Sequence, residues 1–276
     1  LPLIVSSTAI PSRVDPLEPV LSAILAQVVS RDEVRLHIPK RYRRFPDYDG
    51  TPPVVPAGVR IVRPDDDLGP ASKVLFAAED LRGTDTDIVY CDDDRIYPPD
   101  WFARMLAARD GRTDHCVATH VLLPEDLEFV RQPPLDPAPV LSGKSLSFYS
   151  ELLNIKLVQL TTGQTRPKPR IKERFAQPGY AEIAEGFGAV LVRPDFFDAS
   201  ALDIPPILWS VDDIWLSGQM RRRGVPIWCA AGFEEPRPSN GADFDALYDA
   251  QLDGSGRHDA NRACVKYMQE TYGIWR

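Results

Sequence analysis

Short apolar runs alternate with stretches of helical periodicity through the first ~120 residues, and few folds accept that order. Leu3-Ile4-Val5, Val34 to Ile38, Val59 to Val62 and Ile88-Val89-Tyr90-Cys91 read as strands, the first ending in a loop at Ser6-Ser7-Thr8. Between Val14 and Val29, the residues Leu17, Val20, Leu21, Ile24, Leu25 and Val28 recur at helical spacing. A second helix follows Asp65-Asp66-Asp67-Leu68-Gly69-Pro70 and runs through Leu81, and a third begins at Pro98-Pro99-Asp100, where proline suits a first turn. The alternation predicts βαβ units around a mostly parallel sheet flanked by helices, an α/β class that excludes all-α and all-β architectures.

The second half is less regular. From Pro124 to Gly179 prolines are frequent and clear periods few, which predicts loops and short helices. Ala189 to Val192 reads as a strand, Val211 to Arg223 as a helix and Ile227 to Cys229 as a last strand. Asp259 to Tyr272 closes the chain as a helix, with Ala263, Met268 and Tyr272 at candidate buried positions. The expected division is an α/β half at 1–123 and an irregular half at 124–276 packed on it as one domain.

Charge and cysteine usage narrow the function. The 276 residues carry 40 Asp and Glu against 32 Lys and Arg, a net charge of -8, which argues against generic duplex-DNA binding. A nucleotide remains possible, because one metal ion and a few local cations suffice for it. Cys91, Cys116, Cys229 and Cys264 lie far apart without a CxxC pair, so neither a zinc site nor a disulfide framework is expected, and a reducing compartment is. There is no apolar stretch of the ~18 residues a membrane span needs, and no basic-then-apolar leader, so the expectation is cytoplasmic. The chain begins at Leu1 inside an apolar run, and residues before it are expected.

The fourth apolar run ends directly on Asp92-Asp93-Asp94. In open α/β sheets ligands sit beyond the carboxyl ends of the strands, so this triplet occupies a ligand position. Strand alternation sends Asp92 and Asp94 to one side, where two hard oxygen ligands suit Mg²⁺ or Mn²⁺. A solvated acidic turn is the alternative.

From Val89 to Trp101 the sequence, Val-Tyr-Cys-Asp-Asp-Asp-Arg-Ile-Tyr-Pro-Pro-Asp-Trp, resembles the DxD segment of GT-A-fold glycosyltransferases, especially family-two-like bacterial ones. Three more segments agree in order. Ser6 to Arg13 resembles the nucleotide-facing first loop, and Asp67 to Lys73 the Gly-Pro-x-x-Lys stretch. Glu185-Gly186-Phe187-Gly188-Ala189, followed by Asp212-Asp213-Ile214-Trp215-Leu216, resembles the Gly-rich loop and acidic catalytic segment. The resemblance implies a GT-A-like, Rossmann-related fold and transfer of a sugar, with inversion, from a nucleoside diphosphate sugar (UDP being the most frequent) to a hydroxyl. It implies that Asp94 ligates the metal, that Asp92 meets metal or ribose, and that Asp93 points toward the sheet or base. Thr8, Arg13, Asp67, Gly69 and Lys73 become candidate nucleotide contacts, and Gly186 and Gly188 allow close backbone approach to a sugar or phosphate. His258, in a Gly-rich loop before the last helix, stands where such enzymes place a late metal ligand.

Asp212 and Asp213 head a helix, where an acid can also serve as cap or dipole partner. The resemblance makes one of them the general base, Asp213 first and Asp212 second, although many relatives carry Glu-Asp there. Trp209 is a candidate stacking face for a sugar, whereas Trp215 reads as core. Arg166, Lys168, Arg170, Lys172 and Arg174 alternate along a Pro-rich stretch and could meet an anionic acceptor, a diphosphate or a lipid surface, or form a solvated loop. The implied partners are a nucleotide-sugar donor and a sugar or glycan acceptor (lipid-linked acceptors and peripheral membrane contact included), with no nucleic acid. A sugar nucleotidyltransferase and a non-catalytic nucleotide- or carbohydrate-binding module remain the alternatives. A DxDx(T/V) phosphatase fits poorly, because Arg95 and Ile96 do not continue that pattern.

Overall fold

The computed structural model describes residues 2–123, 127, 134–142, 146–162, 174–242, 244–245 and 257–276. The order in the first half is β1 (Leu3–Thr8), α1 (Leu17–Leu25), β2 (Glu33–His37), β3 (Val59–Val62), α2 (Leu75–Asp80), β4 (Asp87–Tyr90), β5 (Arg95–Ile96), α3 (Trp101–Arg109), β6 (Cys116–Ala118) and β7 (Val121–Leu122). There follow β8 (Val140–Leu141), α4 (Leu146–Thr162), β9 (Phe175–Gln177), β10 (Gly179–Ala181), β11 (Ile183–Ala184) and β12 (Val190–Val192). The chain continues through α5 (Asp212–Arg222), β13 (Ile227–Cys229), β14 (Arg237–Pro238) and α6 (Arg257–Tyr272).

One eight-stranded sheet runs in the order β10-β13-β6-β12-β4-β1-β2-β3. The block β4-β1-β2-β3 is parallel, as is β6 beside β13, while β12 is antiparallel to both β4 and β6, and β10 is antiparallel to β13. The mostly parallel α/β expectation holds, with β4 central. Alternate residues feed two cores. Ile88 and Tyr90 of β4 pack among α2, α5 and α6, whereas Val89 and Cys91 pack with Val20 and Ile24 of α1 and Phe102 and Met105 of α3. A strand covered on both faces has no polar side to present, which is why these runs are continuously apolar in sequence.

Element ends differ from the sequence reading for local reasons. The strand β1 continues through Ser6, Ser7 and Thr8, because the ladder with β2 runs to Thr8↔His37. The first helix starts at Leu17 rather than Val14, since Asp15 precedes a proline and is disfavoured in helical backbone. The expected helix through Leu81 is broken: a tight 3₁₀ turn at Gly69–Lys73 is followed by Val74 at φ −133° and then α2. Near the end of the chain Cys264, Val265 and Met268 face the core, and Ala263 is exposed, contrary to its expected burial. Gly218 of α5 packs on Met268, where an added Cβ would come within 2.2 Å of its Cε, so α5 and α6 approach closely.

The largest correction lies between Pro124 and Gly179, where α4 is a helix of 17 residues. Its sequence, Leu146 to Thr162, holds no Pro or Gly and many good helix formers. Its apolar residues are not gathered into one stripe toward a core, so no helical period marked it. It stands between β8 and β9, which pair antiparallel.

Candidate active site

Because β1 to β4 are parallel, the segments after Thr8, His37, Val62 and Tyr90 emerge at one edge of the sheet. There they line a cleft of about 570 Å³ together with Glu185, Phe187, Trp209, Asp212 and Asp213. The candidate residues Thr8, Arg13, Asp67, Gly69, Lys73, Asp92, Asp93, Asp94 and Trp209 all line it too. The two acidic segments, more than a hundred positions apart in the chain, therefore share one cavity.

Lys73 is the link between them. The 3₁₀ turn drives its side chain inward, where only 3% of it is exposed. Its Nζ stands 2.6 Å from Asp92 Oδ1 and 2.8 Å from Asp212 Oδ2. Burial alone lowers an ammonium pKa, but Asp212, Asp92 and Asp213 outweigh it and hold Lys73 well above its ordinary value. Asp92, against the cost of its own burial, is kept below the usual carboxylate range by Lys73. Gly186 makes the arrangement possible: a Cβ there would lie 2.3 Å from Lys73 Nζ. Its backbone N–H donates to Asp213 Oδ1 at 2.9 Å.

Arg13 closes the other side of the triplet. Its Nη1 reaches Asp93 Oδ1 at 2.7 Å and Asp94 Oδ2 at 3.0 Å, and its Nε donates to the Phe244 carbonyl at 3.0 Å. The alternation argument for Asp92 and Asp94 is thus corrected. The strand ends at Tyr90, so the triplet is a turn, and Asp93 and Asp94 share one cation while Asp92 turns to another. Asp93 faces Arg13 rather than the sheet. Burial, opposed by Arg13 and reinforced by Asp94 and Asp92, pushes its carboxyl up to about 7. Burial and Asp92 likewise raise Asp94.

Asp94 Oδ1 is buried without a hydrogen bond, its nearest cation being Arg95 Nε at 3.4 Å. An orphaned carboxylate oxygen beside two further acids suits a hard divalent cation that substrate phosphates help to coordinate. No cluster of three His, Cys, Asp or Glu fit to hold a metal occurs among the described residues. The side chain of His258, at the start of α6, lies outside the described residues, as do Arg166, Lys168, Arg170 and Lys172. Arg174 is described, and its Nη1 is 3.5 Å from Glu234 Oε1.

Other candidates are tied to the frame. Thr8 donates its hydroxyl to the His37 carbonyl at 2.7 Å. Asp67 accepts from the backbone N–H groups of Gly69 and Arg43, and its carbonyl accepts from Trp209 Nε1 at 3.2 Å. Gly69, at φ +59°, lies so near Trp209 that a Cβ would fall 2.9 Å from it. Gly188 is packed inward: a Cβ would meet Thr119 Oγ1 at 2.4 Å, and its carbonyl accepts from Trp101 Nε1 and Thr119 Oγ1. Its close approach is therefore to the protein's own core. Neither acid caps α5 through its side chain. Trp215 is core, donating Nε1 to the Ala201 carbonyl at 2.8 Å.

Sequence reading missed one wall of the cleft. Tyr42, Arg44 and Phe45 line it, and the Arg43 guanidinium stands 5.1 Å over the Trp209 ring. They belong to the Pro-, Arg- and Tyr-rich stretch from Pro39 to Pro56, between β2 and β3. Its position directly after β2 was the available signal, because ligands gather at strand carboxyl ends.

Fold and cleft together define an α/β protein with an acidic, cation-bridged cleft at the carboxyl edge of its parallel strands. The chain matches no protein-family model and no curated protein. Among solved structures it is similar to 4-diphosphocytidyl-2C-methyl-D-erythritol synthase, at 12% identity and TM-score 0.40, over 84% of this chain and 88% of that one. It is also similar to residues 1–349 of TarS from S. aureus, at 11% identity and TM-score 0.42, over 98% of this chain and 72% of that one.

Proposed function

We propose that the protein is a glycosyltransferase that moves a sugar from a nucleoside diphosphate sugar, UDP first among the nucleotides, to a hydroxyl acceptor with inversion. The observation that carries this reading is the meeting of Asp92–Asp94 with Asp212–Asp213 across Lys73 in one cleft. Transfer with inversion needs a place for the departing diphosphate and a base across the sugar from it, and two acidic segments joined but not merged supply both.

Asp94, with Asp92 beside it, would hold Mn²⁺ or Mg²⁺. Such a cation, when bound, stabilises negative charge on the departing diphosphate. The ammonium of Lys73 and the guanidinium of Arg13 add positive charge on the same side. Asp213 takes the acceptor proton. The backbone N–H of Gly186 orients its Oδ1 at 2.9 Å, while Asp212 Oδ2 lies 2.8 Å from Lys73 Nζ. Trp209, braced by Arg43 and Asp67, offers a face for the sugar or base.

The second reading is a sugar nucleotidyltransferase, which the two cations at the triplet favour, since a triphosphate demands them. One assay separates the readings. UDP-, GDP- and dTDP-sugars are incubated with Mn²⁺ and sugar acceptors, and release of nucleoside diphosphate is followed. Nucleoside triphosphates with sugar 1-phosphates are incubated in parallel, and release of pyrophosphate is followed. Diphosphate release that falls ~10²–10⁴-fold in Asp213→Asn, with the Mn²⁺-dependent thermal shift by nucleotide retained, is the expected result. Pyrophosphate release alone overturns the proposal in favour of the nucleotidyltransferase, and binding without turnover overturns it in favour of a binding module.

A further inference from the structure

Eight of the described residues that line the cleft are acids and four are cations, Arg13, Arg44, Lys73 and Arg95. A nucleoside diphosphate entering so acidic a space needs charged N–H donors that the protein has not already engaged. Lys73 is engaged: its buried ammonium lies between Asp92 and Asp212. So is Arg13, whose Nη1 serves Asp93 and Asp94 while Nε and Nη2 donate to the carbonyls of Phe244 and Ala242. Arg44 stands on the wall that follows β2, over the Phe45 ring, and its Nη2 donates to the Asp245 carbonyl at 3.3 Å.

Arg95 differs. It follows the acidic triplet directly, and among the described residues only its Nη1 donates a hydrogen bond, to Glu235 Oε1 at 3.3 Å. Nη2 has no partner among them, and Nε faces Asp94 Oδ1 at 3.4 Å with neither atom hydrogen-bonded. The side chain is nevertheless held in place. Glu235 is buried, and the guanidinium carbon lies 5.1 Å over the Phe187 ring. The backbone is fixed by the pairing of β5 with β14, and Ser239 donates its N–H to the Asp94 carbonyl at 2.8 Å. Phe187 belongs to the turn whose Gly186 N–H orients Asp213. Arg95 therefore reaches from the acidic triplet toward the proposed base, a preorganised guanidinium with donors still open.

We propose that Arg95 binds the departing diphosphate at its terminal phosphate, the one that carries the sugar in the donor, and that Glu235 is the residue that positions Arg95. The inference deepens the glycosyltransferase reading and rests on it. In the transfer, the acceptor oxygen forms its bond to the anomeric carbon and its proton goes to Asp213. The bond from that carbon to the phosphate oxygen breaks, and the electron pair stays on the phosphate. Arg95 keeps its proton throughout and hydrogen-bonds the phosphate, more strongly as negative charge grows there.

Nucleotide affinity tests this without turnover. UDP, GDP, dTDP and CDP, and the monophosphate of each, are titrated by calorimetry into wild type, Arg95→Gln, Arg95→Lys and Glu235→Gln with Mn²⁺ present. The quantity read is the preference for diphosphate over monophosphate, which partial unfolding of a variant leaves unchanged because both ligands meet the same folded fraction. Wild type should prefer the diphosphate of the base it accepts. Arg95→Gln should lose roughly tenfold or more of that preference, and Arg95→Lys and Glu235→Gln smaller parts of it. Mn²⁺ affinity without nucleotide, read by electron paramagnetic resonance, should not weaken in Arg95→Gln. An unchanged preference in Arg95→Gln, an equal loss for both ligands, or a loss matched by weaker Mn²⁺ binding overturns the role of Arg95 and leaves the transferase reading standing. Wild type that binds no nucleotide overturns that reading and this role together.

Discussion

At the scale of single residues, burial decides which charges the fold tolerates. Lys73 is accepted inside because two carboxylates surround it, and His37 is accepted because it stays neutral. His37 is 1% exposed, neither ring nitrogen is hydrogen-bonded, and the ring stacks on Phe76 with centroids 5.9 Å apart. Burial first, then Arg35 on its own strand and Arg60 on β3, pull its pKa from 6.5 to about 4, while Asp80 of α2 and Glu33 oppose them. A pKa depressed in the folded state gives stability that is complete above ~6.5 and is lost as pH falls toward 4, by up to about 1.4 kcal/mol per pH unit. Chemical denaturation at several pH values should therefore show a smaller acid loss in His37→Phe than in wild type between pH 6.5 and 4. Parallel profiles would refute the assignment. The residue types at the site were legible from the sequence, but their partners were not. Asp93 and Asp94 share Arg13 because the backbone leaves the strand at Tyr90, and no spacing rule announces that.

At the scale of elements, short turns aim the chemistry. The 3₁₀ turn at Gly69–Lys73 points Lys73 inward, and the turn at Gly186–Gly188 leaves room above its ammonium. Gly186→Ala places a methyl 2.3 Å from Lys73 Nζ and 3.3 Å from Asp213 Oδ1. Overpacking of this kind should cost about 1–3 kcal/mol in denaturant unfolding. The cost should shrink by more than about 0.5 kcal/mol when measured in a Lys73→Met background, since the two groups compete for one space. Additive costs would show that Gly186 serves only its own backbone. The strands were legible as apolar runs because both their faces are covered. The helix α4 was not, because a helix without a buried stripe leaves no period to read.

At the scale of the whole molecule, the sheet interleaves the two halves of the chain. Both neighbours of β6, namely β12 and β13, come from beyond residue 123, and β12 also closes the edge of β4. The Ile88 and Tyr90 face of β4 is covered by α5 and α6 as well as by α2. A fragment of residues 1–123 should therefore show no cooperative thermal transition, whereas the full chain shows one; circular dichroism of the two measures it. A cooperative transition in the fragment would mean that the first half is an independent unit.

Local physics in the sequence already determined the α/β class, the central strand and the acidic triplet that follows it. Apolar runs, helical periods and a change of polarity at a strand terminus are properties of neighbouring residues. Only the tertiary structure decided that Lys73 joins Asp92 to Asp212, that Arg13 clasps Asp93 and Asp94, and that the loop after β2 walls the cleft. Those contacts span tens to hundreds of positions, and charges that far apart find one another only when burial of both sheet faces brings their segments to the same edge.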